Sequence, residues 1–132
     1  MDDESFESIG RFPFPRSTYA QALENLKEYN TAVVAFDILF LDKSTPLEDR
    51  VFIDAISKFP NVVLWSAKNN AWEIQNPFSW LKKGSYTTGY LPPVIDKSNR
   101  SVYSFSPSFT DIEGNIHEHF TLQILRGFYK YL

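Results

Sequence analysis

Residues 31–42, Thr31-Ala-Val-Val-Ala-Phe-Asp-Ile-Leu-Phe-Leu-Asp42, constrain the fold of this chain more than any other stretch. Apolar residues Ala32 to Phe36 run into one carboxylate, Asp37, and apolar residues Ile38 to Leu41 follow. The turn signals Lys43-Ser-Thr-Pro46 close the run. A short apolar segment bounded by turn residues reads as a strand buried on both faces. Helical patterns flank it, and strands alternating with helices make a parallel sheet. Asp37 then lies at the downstream end of a strand, where open α/β sheets place their binding crevice.

The flanks support this reading. Phe12-Pro-Phe-Pro15 is extended, because proline disfavours helix in the residue before it. Ser17 onward opens a helix, with Thr18 and Gln21 at capping-box spacing. Its apolar face is Tyr19, Ala22, Leu23, Leu26 and Tyr29, and Asn30 is a left-handed stop. Thr45-Pro-Leu-Glu48 is a second capping box, with Pro46 at the first helical position. That helix runs to Phe59, presents Phe52, Ala55, Ile56 and Phe59, and ends at Pro60. Asn61 to Ala67 is a second buried strand. A right-handed crossover through helix 46–59 makes strands 31–38 and 61–67 parallel.

The second half is less regular. Residues 68–74 read as a loop holding Trp72, and Asn76-Pro77 opens a short helix to Lys83, closed by Gly84. Ser85 to Ile95 is extended, Asp96 to Asn99 is a turn, and Arg100 to Phe109 contributes to an antiparallel edge pair. Residues 112–115 form a loop, and His117 to Leu132 a final helix with Phe120, Ile124, Leu125 and Phe128 on one face. The fold class is therefore α/β: a partly parallel central sheet, packed helices and an antiparallel edge pair.

Composition excludes several functions. The net charge of −3 and the lack of a Lys/Arg stripe argue against nucleic acid. No apolar run approaches the roughly 18 residues of a membrane-spanning helix, and the first residues carry no signal-peptide pattern. With no cysteine there is neither disulfide nor thiolate chemistry, and the compartment stays open. Aromatics are 17% of the chain, enough to build a core from rings rather than aliphatics.

Acids dominate the candidates for chemistry. Asp2, Asp3, Asp37 and Asp42 would suit a hard cation if gathered. The simpler reading is that Asp2 and Asp3 are solvated and Asp37 accepts backbone N–H bonds. Arg16 is expected to pair with Asp37 or Asp3, with anion capture as the functional alternative. His117 and His119 stand two apart, the wrong spacing for helical chelation, and read as surface histidines. There is no phosphate loop, no nucleophile elbow and no supported triad, so neither catalysis nor a cofactor or metal is expected.

The residues just passed resemble a known family. Asp2-Asp-Glu-Ser-Phe-Glu-Ser-Ile-Gly10, Phe12-Pro-Phe-Pro-Arg16, Tyr19-Ala20 and Phe36-Asp-Ile-Leu-Phe40 occur in order and at the spacing of the second type of CHASE domain. Phe12 and Phe14 stand where the family usually has tryptophan. Asp49 and Asn61-Val-Val-Leu64 match as well, and Gly89 and Asp96 to Val102 resemble a later segment. The arginine usual after that segment is absent, since Tyr103 and Ser104 follow Val102.

The resemblance implies one extracytoplasmic sensor domain over residues 1–132, cut short at both ends relative to the family. It implies transmembrane helices and a cytoplasmic histidine kinase, nucleotide cyclase or Ser/Thr kinase in the same receptor. The expected partner is a small-molecule ligand of unknown identity, in a crevice lined by Asp3, Ser5, Arg16, Asp37 and Trp65. The alternative is a ligand-free platform that sets receptor homodimerisation through its aromatics. A carboxylate–metal enzyme, the third possibility, lacks a placed base or nucleophile.

Overall fold

Three short strands in parallel hold the centre of the molecule. The computed structural model describes residues 3–10, 12–68, 73–78, 86–91, 94–95, 102–104 and 106–131. In chain order the elements are α1 (Asp3–Ile9), α2 (Arg16–Glu28), β1 (Val34–Phe36), α3 (Pro46–Ser57), β2 (Val62–Lys68), β3 (Ile74–Gln75) and β4 (Thr87–Tyr90). There follow β5 (Val94–Ile95), β6 (Val102–Ser104), β7 (Ser108–Thr110), β8 (Ile116–Glu118) and α4 (Phe120–Tyr131).

β1 and β2 are parallel, with Val34 opposite Val62 and Phe36 opposite Leu64. β4 lies parallel on the other side of β2, and β3 turns back antiparallel against the end of β2. α3 connects the parallel strands β1 and β2, as the Thr45 cap and Pro60 lead one to expect. β5–β6 and β7–β8 are separate antiparallel pairs.

β1 departs from expectation in two ways. It is three residues long rather than eight, and it is half-buried rather than covered on both faces. The strand order explains this: β2 takes the centre, and β1 borders it on one side only. Past Phe36 the chain leaves the sheet and dips Phe40 into the core, where the Phe40 carbonyl accepts a 3.1 Å bond from Phe78 N–H.

That core is largely aromatic. Tyr19, Phe36, Phe40, Phe52 and Phe78 interlock, with Phe40 edge-on to Phe52 at 5.1 Å between centroids and stacked on Phe78 at 5.6 Å. Edge and offset contacts of this kind add to the burial of large rings. α2 contributes Tyr19, Ala20 and Leu23, and α3 contributes Phe52, Ala55 and Ile56. Val62 and Leu64 join the cluster from β2. Val63, alternating to the other face, is buried on the side where α4 packs.

The apolar face of α2 therefore differs from its periodicity. Ala22, Leu26 and Tyr29 are exposed, and Ala20 is buried instead. Nor does Thr18 cap it; Pro15 precedes the first turn and makes no side-chain cap bond. Asn30 does adopt the left-handed conformation, with φ of 52°. The final helix starts at Phe120, three residues after His117, because Ile116–Glu118 pairs with Ser108–Thr110 as a strand. The short helix expected over 76–83, the loop residue Trp72 and the turn at 96–99 lie largely or wholly outside the described residues. Among the described residues no helix is long and apolar enough to cross a membrane.

Candidate functional site

An open crevice of about 950 Å³ lies where β1 ends and α2 begins. Arg16, Asp37, Asp42 and Trp65 line it together with the Phe12-Pro-Phe-Pro15 segment. It is the place that the parallel topology assigns to a binding crevice, outside the carboxyl ends of the strands. Three of the five expected site residues, Arg16, Asp37 and Trp65, meet there. The side chains of Asp3 and Ser5 lie outside the described residues.

Arg16 is the first residue of α2, and two Phe-Pro steps lead the chain to it. Its guanidinium carbon sits 4.4 Å from the Phe40 ring centre and 5.6 Å from that of Phe78. Stacking on ring faces suits the flat, weakly hydrated guanidinium. Nη2 donates to the Asp42 backbone carbonyl at 3.0 Å.

Of the two expected carboxylate partners of Arg16, Asp37 does not pair with it, and the side chain of Asp3 lies outside the described residues. Asp49 faces Arg16, with Oδ1 3.6 Å from Nε and both side chains about one-tenth exposed (11% and 10%). That separation is an ion pair rather than a hydrogen bond, and Nε and Oδ1 have no hydrogen-bond partner. Asp49 Oδ2 accepts Ser44 N–H at 3.0 Å, which ties the loop before α3 to the pair. Asp49 leaves one signal in the sequence. It stands three and seven residues before Phe52 and Ile56, a carboxylate on the apolar face of its helix.

Asp37 is the corresponding correction. It was expected to be desolvated and held by N–H donors or Arg16; instead it is exposed and makes no hydrogen bond or ion pair among the described residues. The reason is that β1 stops at Phe36, so Asp37 leaves the sheet into the crevice rather than into the core. Trp65, on β2, is half-buried, and its indole N–H is buried with no acceptor. Indole can only donate, so this group is unsatisfied.

The capping box at Thr45 is half realised. Thr45 Oγ1 accepts Glu48 N–H at 3.3 Å, as expected. The Glu48 carboxylate, however, reaches across to α2, where it accepts Ser17 N–H at 2.7 Å and Ser17 O–H at 3.1 Å. It thus supplies the cap that Pro15 cannot, and Glu48 itself lines the crevice. Close by, burial pushes the Tyr19 phenol above its ordinary 10.0, against smaller lowering contributions that include the charge of Arg16.

A second crevice, of about 990 Å³, opens beside β4 and β8. Its wall is acidic, but its acids are largely satisfied within the fold. Asp111 accepts from Asn115 N–H at 2.8 Å and Glu113 N–H at 2.9 Å, and it contacts His117 Nε2 at 2.8 Å. These bonds, His117 first and Asn115 next, hold the Asp111 carboxyl well below the usual carboxylate range. Glu118 is taken by Arg126 at 2.6 Å and Gln123 at 2.8 Å. The histidines are not the surface pair expected: His117 is half-buried on β8 and stacks on Phe109 at 5.1 Å, and His119 is buried, which lowers its pKa. Pairing with β7 makes a strand of what the periodicity read as a helix. Among the described residues no group of three or more His, Asp or Glu is placed to hold a metal ion.

The first crevice thus combines an arginine with a carboxylate that has no partner among the described residues, whereas the acids of the second are largely hydrogen-bonded within the fold. Comparison with curated proteins and with solved structures returns no significant match. A family model described as the CHASE2 domain matches residues 1–130, nearly the whole chain. The chain therefore belongs to the CHASE2 family of extracytoplasmic sensory domains.

Proposed function

We propose that this domain is the sensory input of a transmembrane receptor and that its stimulus is a small molecule received in the crevice of Arg16, Asp37 and Trp65. The observation that carries this reading is the exposed carboxylate of Asp37, which lines the crevice together with Arg16 and has no partner among the described residues. An exposed carboxylate is open to a ligand donor, and hydrogen bonds to an ionised group are the stronger kind. The output would be a histidine kinase, nucleotide cyclase or Ser/Thr kinase in the cytoplasmic part of the same protein. The test is made in the full receptor. Trp65→Phe and Asp37→Asn are expected to abolish or blunt the response to stimulus while leaving the folded domain intact by circular dichroism. An undiminished response in both variants sinks the reading.

A second reading has its own observation. Leu125, Phe128 and Tyr129 are exposed on α4, spaced three and four apart so that they share a face. Such a face would serve a dimerisation platform. Light scattering across a concentration series, on the parent and on Phe128→Glu, decides it: a dimer abolished by the substitution favours the platform, and a monomer throughout removes it.

A further inference from the structure

We infer that α4 is held to the sheet by a proton-sensitive joint: His119 caps the helix through its neutral imidazole, and protonation of that ring releases the helix. This goes beyond the crevice reading and does not depend on it.

Four segments meet at His119. It directly precedes α4, and its carbonyl accepts Leu122 N–H at 2.9 Å and Gln123 N–H at 3.3 Å, which makes it the N-cap. Its own N–H donates to the Pro107 carbonyl at 2.8 Å, just ahead of β7, and it bridges to Tyr90 at the end of β4. The residue is 4% exposed. Its Nδ1 accepts Thr121 N–H at 3.2 Å, the bond that a serine or aspartate oxygen usually accepts at a cap. A backbone N–H can only donate, so Nδ1 carries no proton in this state. From this joint α4 lies along the sheet, with Phe120 against Gly89 and Gly127 against Val33.

A second proton on the ring works against all of this. On Nδ1 it turns the acceptor into a donor that faces the Thr121 N–H. It places positive charge at the positive end of the α4 dipole, and it charges a buried ring. The neighbouring elements offer little relief among the described residues. From β4, the Tyr90 ring stands edge-on at 5.7 Å, and its hydroxyl donates to the Ser106 carbonyl at 3.2 Å. From β8, the Glu118 carboxylate is taken by Arg126 and Gln123, and His117 stands against Asp111. From β2, Lys68 lies over the Phe109 ring at 5.5 Å. Burial accordingly lowers the pKa of His119 from its ordinary 6.5. The released chain takes up the proton near 6.5 and the docked one only at lower pH, so docking is at full strength above 6.5 and weakens as the pH falls below it. One proton makes the opening constant rise by up to about tenfold per pH unit. The Asp111 carboxyl acts lower, below its ordinary 3.8, so the two groups are separable. An extracytoplasmic domain meets the pH of its surroundings, which gives such a joint something to report.

The experiment follows hydrogen exchange of the tag-free 132-residue chain from about pH 7.5 to about pH 4.5, the range in which histidine titrates. Protection factors are compared between α4 and the α2–α3 pair. In the parent, protection in α4 is expected to fall by up to about tenfold per pH unit below 6.5, while α2 and α3 keep theirs. His119→Asn supplies an amide oxygen that caps at any pH, so its α4 protection should stay level across the range. An NMR titration of the two histidine rings in the parent accompanies this and needs no variant. The ring that loses its nuclear Overhauser contacts with Tyr90 as α4 opens is His119, and its midpoint is expected below 6.5. A His119 midpoint at or above 6.5 overturns the joint. So does level protection of α4 in the parent, or an equal loss in α2 and α3, which is general acid unfolding. An undiminished acid loss in His119→Asn overturns it too. If that variant does not fold, the parent's ring titration and exchange profile decide.

Discussion

Asp37 and Asp49 exchange the roles that local pattern would give them. Asp37 interrupts an apolar run, which makes it look buried. Asp49 sits among charged residues, Glu48 and Arg50, which makes it look solvated. In the structure Asp49 is the buried acid, held by Ser44 N–H and facing Arg16, and Asp37 is exposed. Removing one partner of a buried pair leaves an uncompensated charge, which costs far more than the pair contributes. Asp49→Ala is therefore expected to destabilise the domain by about 2–4 kcal/mol, the lower end reflecting an ion pair without a hydrogen bond. Asp37→Ala is expected to change stability by no more than about 0.5 kcal/mol, as for other exposed and unpaired side chains. Urea melts of both variants measure this, and equal midpoints for the two would contradict the assignment.

Caps and turns govern the elements. Thr45 caps α3, and Glu48 caps α2 from a distance, so two helix N-termini depend on one four-residue segment. Thr45→Ala should cost about 1 kcal/mol, the usual value for a lost cap. Glu48→Ala should cost about 1–2 kcal/mol, because it strips Ser17 of an acceptor for both N–H and O–H. The two residues serve different helices, so the double variant should be additive to within about 0.5 kcal/mol. A reciprocal capping box would instead make the losses strongly non-additive. The β7–β8 turn depends on Asp111 in a pH-dependent way. Its carboxyl is held below the ordinary 3.8, so it contributes stability that is fully present above that pH and is lost as the pH falls through the depressed value. The gap in melting temperature between the parent and Asp111→Asn should thus be widest near neutral pH and close as acid is added. A gap that persists unchanged into strong acid would exclude the carboxylate as its source.

For the whole molecule, the decisive contact is between α4 and the sheet. β4 carries Gly89 against the first residue of α4, and a Cβ there would collide with the backbone of Phe120. Backbone cannot move aside as a flexible side chain can. Gly89→Ala is expected to cost about 3 kcal/mol or more and to expose Val63, because α4 must shift away from β2 and β4 together. Denaturant melts, with hydrophobic-dye binding as the second readout, would show it; an alanine variant as stable as the parent would mean that α4 is not docked there. The Tyr90–His119 bridge continues the same seam, which joins β4 to the start of α4.

Much of the first half was legible in the chain because its signals are local. The Thr45 cap with Pro46, the terminator Pro60 and two apolar runs suffice for a helix between two parallel strands, and the fold class follows. The apolar face of α3 was equally legible, since Phe52, Ala55, Ile56 and Phe59 recur at helical spacing and all four are buried. What the chain could not show by itself was which neighbour each segment meets. His117 reads as helical until Ser108–Thr110 pairs with it, and β1 reads as doubly covered until β2 takes the centre. The same holds at the site. Strand ends and the Phe-Pro steps mark Arg16, Asp37 and Trp65 as crevice residues in the sequence. The salt-bridge partner of Arg16 lies 33 positions away on another helix, and only the packing of α2 against α3 brings Asp49 to it. Periodicity and capping are written in neighbouring residues, whereas burial and ion pairing depend on distances that chain folding alone decides.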